Sequence, residues 1–228
     1  MLKAQPSLKK IVAKLEAHYG TPAPPTITDP LHLVLLENVA YLVDDKRREA
    51  ALAALRDQVG LEPPAILAAS TEQLAKIVKT GAVFSEIWAR KLKEIALIVL
   101  NDFEGDLHAA TKLPLAKAIG AFKKFPSIGV PGAERILLFV RAYPILALES
   151  NGLRVLLRLG FGQESKNYSK SYASVRDALA DQVGEDCEFL IRAHQLLRQH
   201  GKTLCKTSRP ACPTCPLRRN CRYAVMSQ

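Results

Sequence analysis

Four cysteines near the carboxyl end of the chain have the types and spacing of a metal site. They are Cys205, Cys212, Cys215 and Cys221. Thiolates are soft ligands that suit iron–sulfur clusters and zinc. Three prolines, at 210, 213 and 216, stiffen the same segment and argue against a helix there. The segment is therefore predicted to be a loop that closes around one metal centre.

Two kinds of metal centre remain open. Zinc ribbons pair two Cys-x2-Cys units, whereas this chain has one such unit, Cys212 to Cys215, with longer and unequal spacers on either side. This spacing favours a [4Fe–4S] cluster, and a tetrahedral structural zinc is the alternative. The fifth cysteine, Cys187, lies on a helical stretch and is expected to be buried packing.

Basic residues are interleaved with the cysteines. They include Lys206, Arg209, Arg218 and Arg219. The whole chain has a formal net charge of +10, and such an excess suggests a polyanionic partner, most often nucleic acid. The loop is either a solvated basic loop or a surface whose side chains contact DNA phosphates, and the net charge favours the second interpretation.

A second motif lies between two helical stretches and reads Phe125-Pro-Ser-Ile-Gly-Val-Pro-Gly-Ala133. Glycine permits positive φ and close backbone approach, so we expect a tight turn between helices. Amides at the start of the following helix can then receive a phosphate, and the preceding lysines add charge. The expected DNA contacts are Lys123, Lys124, Ser127, Gly129 and Gly132. The alternative is an ordinary corner between two helices.

Long stretches of helical periodicity, with little strand alternation, predict an all-α fold that positions both motifs. Helices are predicted over 8–18, 30–42, 45–59, 63–69, 71–78, 84–100, 113–124, 133–143, 152–159, 172–183 and 186–201, with an exposed loop over 161–170. No apolar run is long enough to cross a membrane, and the amino-terminal segment lacks the pattern of a signal peptide. We expect a cytoplasmic protein, associated with the nucleoid if bacterial, in which clustered cysteines favour metal over disulfides.

The two motifs together resemble the endonuclease III family of the helix–hairpin–helix DNA glycosylase superfamily. The cysteine spacing is similar to that family's iron–sulfur loop, and the turn is similar to its hairpin. The stretch Leu153-Arg-Val-Leu-Leu-Arg-Leu-Gly160 resembles the helix after the family's catalytic aspartate. His200 and Gly201 precede the first cysteine as they do in the family. The resemblance covers about residues 8–225.

The resemblance implies a two-lobed helical fold that acts on DNA. A six-helix barrel would span 25–145, with the helix–hairpin–helix at about 113–140. Residues 1–24 and 146–228 would form a helical iron–sulfur domain with the cluster loop at 205–221. The partner would be double-stranded DNA lying across the cleft, with the target nucleotide flipped out of the stack. We expect a monomer.

Glu149 falls where the family has its aspartate, in the segment Leu148-Glu-Ser-Asn-Gly152. A carboxylate beside the anomeric carbon can stabilise an oxocarbenium-like sugar or orient a water. The glutamate keeps the charge but has one more methylene, and misplacement by about an ångström can cost about 100-fold. Glu149 is thus the candidate catalytic residue, and an acid favoured by the dipole of the following helix is the alternative.

Two further positions depart from the family pattern. Members with lyase activity use a lysine two residues after the hairpin glycine, and Pro131 stands there, which excludes a lyase step through that residue. The residues expected to line the base pocket are Asn38, Tyr41, Asp45 and Asn151. Tyr41 could stack on a base or be half-buried packing, and Asn151 could read the base or cap a helix. The base specificity therefore does not carry over from the family.

The sequence favours a monofunctional DNA glycosylase, a hydrolase of base-excision repair. The main alternative is a non-catalytic DNA-binding or damage-sensing protein on the same scaffold, because the aspartate and lysine positions have both changed. A second alternative is a DNA-coupled redox protein, which the cysteine loop alone permits.

Overall fold

The computed structural model describes residues 5–40, 44–78 and 85–226, and within these ranges the chain forms helices and no β-strand. This confirms the predicted all-α class. The chain divides into two compact units. One comprises Thr26–Ala142, and the other comprises Met1–Pro25 together with Tyr143–Gln228. We number the helices α1 to α13 in chain order.

The unit Thr26–Ala142 contains eight helices within its described residues. They are α2 (Pro30–Val39), α3 (Asp45–Gln58), α4 (Pro63–Ala68), α5 (Thr71–Val78), α6 (Ser85–Phe103), α7 (His108–Thr111), α8 (Leu115–Phe122) and α9 (Val130–Phe139). The long helix α6 is central, since α2, α4 and α5 all pack against it. Its apolar positions Leu92, Ile95 and Val99 recur at helical spacing and are fully buried. This core supports the hairpin between α8 and α9.

The second unit joins the amino-terminal helix to the carboxyl-terminal helices. They are α1 (Leu8–Tyr19), α10 (Ser150–Leu159), α11 (Tyr168–Leu179), α12 (Cys187–Thr203) and α13 (Arg222–Met226). The segment between α12 and α13 contains two short 3₁₀ turns, Cys212–Thr214 and Arg218–Asn220. Helix α10 packs on α12 at close range, because a Cβ on Gly152 would lie 3.4 Å from that of Leu197. The cysteine loop and Glu149 are both attached to this helix pair.

Side-chain caps explain where several helices begin. In each, the capping oxygen accepts a hydrogen bond from a backbone N–H of the first turn, which the helix itself leaves unpaired. The capping residues are Ser7, Asp29, Asp44, Glu149, Asn167 and Asp186. Asp29 is followed by Pro30 at the first helical position, where the missing N–H costs nothing.

The structure corrects some predicted boundaries. The stretch 161–170 is not entirely a loop, because Asn167 caps a helix that starts at Tyr168, four residues before the predicted start. Helix α9 starts at Val130 rather than Ala133. Gly201, expected to end a helix, lies inside α12. A Cβ at Gly201 would lie 2.5 Å from the backbone oxygen of Asn151, so this glycine serves close helix approach instead.

Along the described ranges, no helix is both long and apolar enough to cross a bilayer.

Candidate active site and metal centre

The four spaced cysteines line one cavity. Cys205 follows α12, Cys212 opens the 3₁₀ turn Cys212–Thr214 and Cys215 follows it, and Cys221 precedes α13. All four border the same cavity, whose other walls include Val155, Leu159, Leu204 and Leu217. None of the chain's cysteines forms a disulfide. The loop therefore turns its four thiols toward a common, largely apolar space.

The thiols are spread around this cavity rather than gathered at one point. Among the described residues, no group of three or more His, Cys, Asp or Glu side chains is placed to hold a metal ion. A tetrahedral zinc site needs four sulfurs about 2.3 Å from one ion. A cluster places several iron and sulfide atoms between the thiolates and so accepts a wider spread. The donor set, all thiols around one apolar cavity, fits a cluster better than a single ion.

Burial makes two of these thiols, Cys215 and Cys221, poor acids in the absence of metal. It raises the pKa of Cys215 to about 11, and the charges of the other three cysteines add to the rise. Burial also raises the pKa of Cys221. Four mutually repelling thiolates require a positive centre to coexist, and metal binding releases their protons. Cys187 is separate from this set, since it opens α12 and is half-buried, so its predicted burial is wrong.

Two arginines on successive turns of α10 hold the first cysteine. Arg154 donates from Nε to the carbonyl oxygen of Cys205 at 2.9 Å and from Nη2 to that of Gly201 at 2.9 Å. Arg158 donates from Nη1 to the Cys205 sulfur at 3.3 Å and to the carbonyl oxygen of Lys206 at 2.7 Å. Sequence reasoning missed this role. The signal was present, because residues four apart on a helix share one face.

A buried histidine contacts a second cysteine. His200 is 1% exposed, and its Nε2 lies 3.4 Å from the sulfur of Cys215. Its Nδ1 lies 2.9 Å from the hydroxyl of Tyr19 on α1. Burial, with a smaller effect of His18, lowers the pKa of His200 to about 4. The imidazole is thus neutral at physiological pH and has one donor and one acceptor nitrogen.

Glu149 caps helix α10 with its carboxylate. Oε1 accepts from the Gly152 N–H at 2.8 Å, and Oε2 accepts from Asn151 Nδ2 at 2.8 Å. The side chain is half-buried. Two bonds leave further lone pairs on an ionised carboxylate, which can accept at about four sites. The capping arrangement thus holds a charged group in one place while leaving it able to act on a bound molecule.

Asn151 continues this set of bonds. Its Oδ1 accepts from Arg154 Nη2 at 2.8 Å, while its Nδ2 donates to Glu149. The amide therefore links the carboxylate to an arginine that also holds the cysteine loop. Its predicted role in reading a base stays a prediction, but the amide group is already engaged on both sides.

An exposed aromatic residue lies near the carboxylate, and sequence reasoning missed it. Tyr168 opens α11, and 43% of its surface is exposed. Partial burial, followed by the Glu149 charge, raises the pKa of Tyr168 to about 12. Its ring stacks on Tyr172, whose hydroxyl accepts from the Leu148 N–H at 3.4 Å. Sequence patterns carried no signal for Tyr168, because it lies in the segment predicted to be a loop.

The hairpin forms between α8 and α9, with a conformation that differs from the one expected. Positive φ occurs at Ser127, at +63°, whereas Gly129 is extended at −93°. Gly132 serves close packing instead, since its Cβ would lie 3.3 Å from Ile128. Among the described residues no side chain caps α9, so amides of its first turn are open to an anion. The hairpin can thus receive a phosphate.

The predicted basic contacts are on the surface, but they are not equally free. Lys123 is exposed, whereas Lys124 pairs with Asp102 at 2.8 Å. Lys91, which sequence reasoning missed, reaches the hairpin and donates to Ser127 Oγ at 3.0 Å. In the cysteine loop every predicted contact is exposed, namely Lys206, Arg209, Arg218 and Arg219. Each motif therefore presents exposed positive charge.

The remaining pocket candidates belong to the other unit. Asn38 is fully buried and donates to the carbonyl oxygen of Val34 at 3.1 Å, while its own Oδ1 has no hydrogen-bond partner among the residues that the structure describes. Asp45 is the half-buried first residue of α3. Tyr41 lies outside the described residues. Asn38 therefore lies in the interior of its unit, and its predicted role in lining a base pocket stays a prediction.

Comparison with known proteins finds sequence similarity to endonuclease III from two organisms. No protein-family model matches the chain. It is 25% identical over 163 residues to endonuclease III of Rickettsia prowazekii, covering 72% of this chain and 69% of the relative. It is 26% identical over 185 residues to endonuclease III of Sulfolobus acidocaldarius, covering 78% and 75%.

Solved structures share the fold at lower identity. A non-covalent endonuclease III–DNA complex matches with a TM-score of 0.76 and 19% identity, covering 100% of this chain and 99% of the other. A thermostable thymine-DNA glycosylase matches with a TM-score of 0.73 and 19% identity, covering 96% and 97%. The fold therefore agrees over essentially the whole chain.

Proposed function

We propose that this chain, a member of the helix–hairpin–helix DNA glycosylase superfamily, is a DNA repair enzyme that hydrolyses the N-glycosidic bond of a damaged or mismatched base. The observation that carries the proposal is the position of Glu149. Its carboxylate is held at 2.8 Å by both the Gly152 N–H and the Asn151 amide. It caps the start of α10, which resembles the helix that follows the family's catalytic aspartate, and solved glycosylases share the fold.

Glu149 would act on the sugar of the extruded nucleotide. Breaking the bond between C1′ and the base leaves an oxocarbenium-like sugar, which a fixed carboxylate stabilises electrostatically. A water then adds to C1′, and its proton passes to the carboxylate or to the departing base. Preorganisation is the advantage of the two capping bonds, because a carboxylate already held in place needs little reorganisation in the transition state. The exposed ring of Tyr168 is suited to contact the substrate beside it.

The reaction would end at the abasic site. Strand cleavage by a glycosylase requires an amine that forms a Schiff base with the sugar. Pro131 occupies the corresponding position in the first turn of α9 and has no such amine. The neighbouring Lys124 is paired with Asp102. These features support a monofunctional enzyme.

DNA would be held through its phosphates. The open first turn of α9 and the exposed basic residues of the cysteine loop are the two groups of contacts. Phosphate contacts position a protein without reading sequence, and they make binding fall with salt. A structural relative was solved in complex with DNA, which supports the same partner here.

The cysteine cavity would hold a [4Fe–4S] cluster. Cys205, Cys212, Cys215 and Cys221 would be its ligands, and the bound cluster would supply cross-linking of the loop and a one-electron redox centre. Iron and acid-labile sulfide near four of each per chain, with visible absorption of a cluster, would support this. One zinc per chain without sulfide would establish the alternative.

A specific observation favours a second candidate, the non-catalytic DNA-binding protein. Glu149 replaces the expected aspartate, and both of its carboxylate oxygens already accept hydrogen bonds within the protein. A carboxylate that is only a helix cap would have the same contacts. The two candidates share fold and partner, so only a reaction separates them.

The deciding experiment is an excision assay on a panel of duplexes. They would contain uracil, thymine mismatches, alkylated purines, oxidised pyrimidines or 8-oxoguanine, with and without alkali. Strand breaks that appear only after alkali, and that Glu149→Gln reduces about 100-fold or more, would support the proposal. Glu185→Gln is the matched control, since Glu185 is an exposed glutamate of the same unit. Tight binding without excision of any lesion would favour the non-catalytic protein, and nicking without alkali would contradict the monofunctional assignment.

A further inference from the structure

A line of three side chains connects the amino-terminal helix to the cysteine cavity. Tyr19 on α1 places its hydroxyl 2.9 Å from His200 Nδ1, and His200 places its Nε2 3.4 Å from the Cys215 sulfur. The tyrosine hydroxyl is also 2.9 Å from Thr203 Oγ1. Neither capping, core packing nor DNA binding requires a buried imidazole to face a thiol. The arrangement therefore needs an explanation of its own.

The chemistry of the three groups determines the direction of their hydrogen bonds once a cluster is bound. A thiolate bound to iron has no proton and can only accept. The imidazole must then donate from Nε2, and in the tautomer with its proton there Nδ1 is an acceptor. The hydroxyl of Tyr19 is the donor that satisfies Nδ1. Tyr19 thus selects the imidazole tautomer that points its N–H at sulfur.

We propose that His200 is a redox-tuning hydrogen-bond donor to the Cys215 ligand, and that Tyr19 fixes the tautomer that makes this possible. The inference rests on the proposed [4Fe–4S] cofactor. An N–H directed at a ligand sulfur withdraws charge from it, and this favours the reduced cluster, which has the greater negative charge. The contact raises the reduction potential of the centre.

The surroundings strengthen this effect. His200 is 1% exposed, so the N–H···S contact is shielded from water, and hydrogen bonds are stronger where the local dielectric is low. A second donor, Arg158 Nη1, lies 3.3 Å from the sulfur of Cys205. His200 is the better test of the idea, because Arg158 also holds the loop backbone at Lys206 and Thr207.

The experiment is an equilibrium redox titration of the iron-loaded full chain, followed by electron paramagnetic resonance. His200→Leu removes the donor, whose hydrogen bond favours the reduced cluster over the oxidised one. We therefore expect the oxidised-to-reduced ratio of the cluster at a fixed potential to rise by up to about tenfold. For a one-electron couple this corresponds to a reduction potential about 59 mV lower. His200→Gln, whose amide N–H can still donate, should restore much of the wild-type value.

Tyr19→Phe tests the tautomer assignment with little structural change. It should shift the ratio in the same direction as His200→Leu but by less, because the imidazole can then also adopt the other tautomer. Tyr143→Phe is the matched control, since Tyr143 is a tyrosine of the same unit that does not border the cysteine cavity, and the reduction potential of this variant should equal that of the wild type. Electron–nuclear double resonance should detect an exchangeable proton near the cluster that is lost in His200→Leu.

The outcomes are separable from those of the cofactor proposal. An unshifted potential in His200→Leu, at wild-type iron content, would overturn the role of His200 alone. Should His200→Leu fail to retain iron, an unshifted potential in Tyr19→Phe, with no exchangeable proton near the wild-type cluster, would overturn it. An upward shift in Tyr19→Phe would overturn the tautomer assignment. Wild-type protein that binds no iron would overturn the cofactor proposal and this inference with it.

Discussion

Arg154 donates to the carbonyl oxygen of Cys205 at 2.9 Å, so helix α10 is bonded directly to the first residue of the cysteine cluster. The same guanidinium donates to Asn151, which in turn donates to Glu149. The candidate catalytic carboxylate and the candidate metal loop are therefore attached to opposite ends of one short set of hydrogen bonds. Substitution of Asn151 or Arg154, in the middle of that set, should therefore affect both Glu149 and the cysteine loop.

Asn151→Ala should slow excision without removing the carboxylate. The variant loses the bond to Glu149 Oε2, and hydrogen bonds to charged groups are worth about 1.5–3 kcal/mol, which is roughly tenfold to 100-fold in rate. Single-turnover kinetics on the preferred duplex should show this loss in the chemical step, with DNA affinity retained. Asn101→Ala, at an exposed position on α6, serves as the control. A rate equal to wild type would show that Gly152 alone positions the carboxylate.

Gly201→Ala should disrupt the contact between α10 and α12. Its new Cβ would lie 2.5 Å from a backbone oxygen of Asn151, and backbone cannot rotate away as a side chain can. Overpacking of this kind costs about 1–3 kcal/mol, so thermal unfolding should move to lower temperature. Gly184→Ala is the matched control, because a Cβ there meets no atom within 4 Å. Equal melting temperatures of the two variants would show that the close approach of α10 and α12 at Gly201 does not limit stability.

Ser127→Gly should stabilise the hairpin. A non-glycine residue in the left-handed region costs about 1–2 kcal/mol, and Ser127 has φ of +63°. Glycine relieves that cost, although its greater freedom in the unfolded chain offsets part of the gain. Urea denaturation should therefore give a free energy of unfolding that is higher by roughly 0.5–1 kcal/mol. Ser127→Ala, which removes only the hydroxyl that Lys91 contacts, should give no such increase, and an equal gain in both variants would contradict the explanation.

Removal of one cluster ligand should be distinguishable from removal of the fifth cysteine. Cys212→Ser should reduce bound iron and, because the loop then loses its cross-link, weaken DNA binding and flatten its salt dependence. Cys187→Ser should keep wild-type iron content, since Cys187 opens α12 and does not border the cysteine cavity. Iron analysis and binding isotherms at several salt concentrations would measure both. Equal iron loss in the two variants would mean that the cavity is not the metal site.

Much of the local architecture could be predicted because its causes are local. Helical periodicity identified helices such as α5, whose predicted start at Thr71 matches the structure. Boundaries failed where a cap was overlooked, as at Asn167, or where a glycine was assumed to end a helix, as at Gly201. In the second case the glycine is present for the neighbouring helix, which no reading of a single segment could show.

The sequence by itself determined the helical class and pointed to the candidate thiol ligands and the candidate carboxylate, because periodicity, residue chemistry and motif spacing are properties of neighbours in the chain. Only the tertiary structure decided which partners those residues have. Tyr19 meets His200 across 181 positions, and Arg154 meets Cys205 across 51. Such contacts depend on how helices pack, and packing is set by many weak interactions summed over the core rather than by any local pattern.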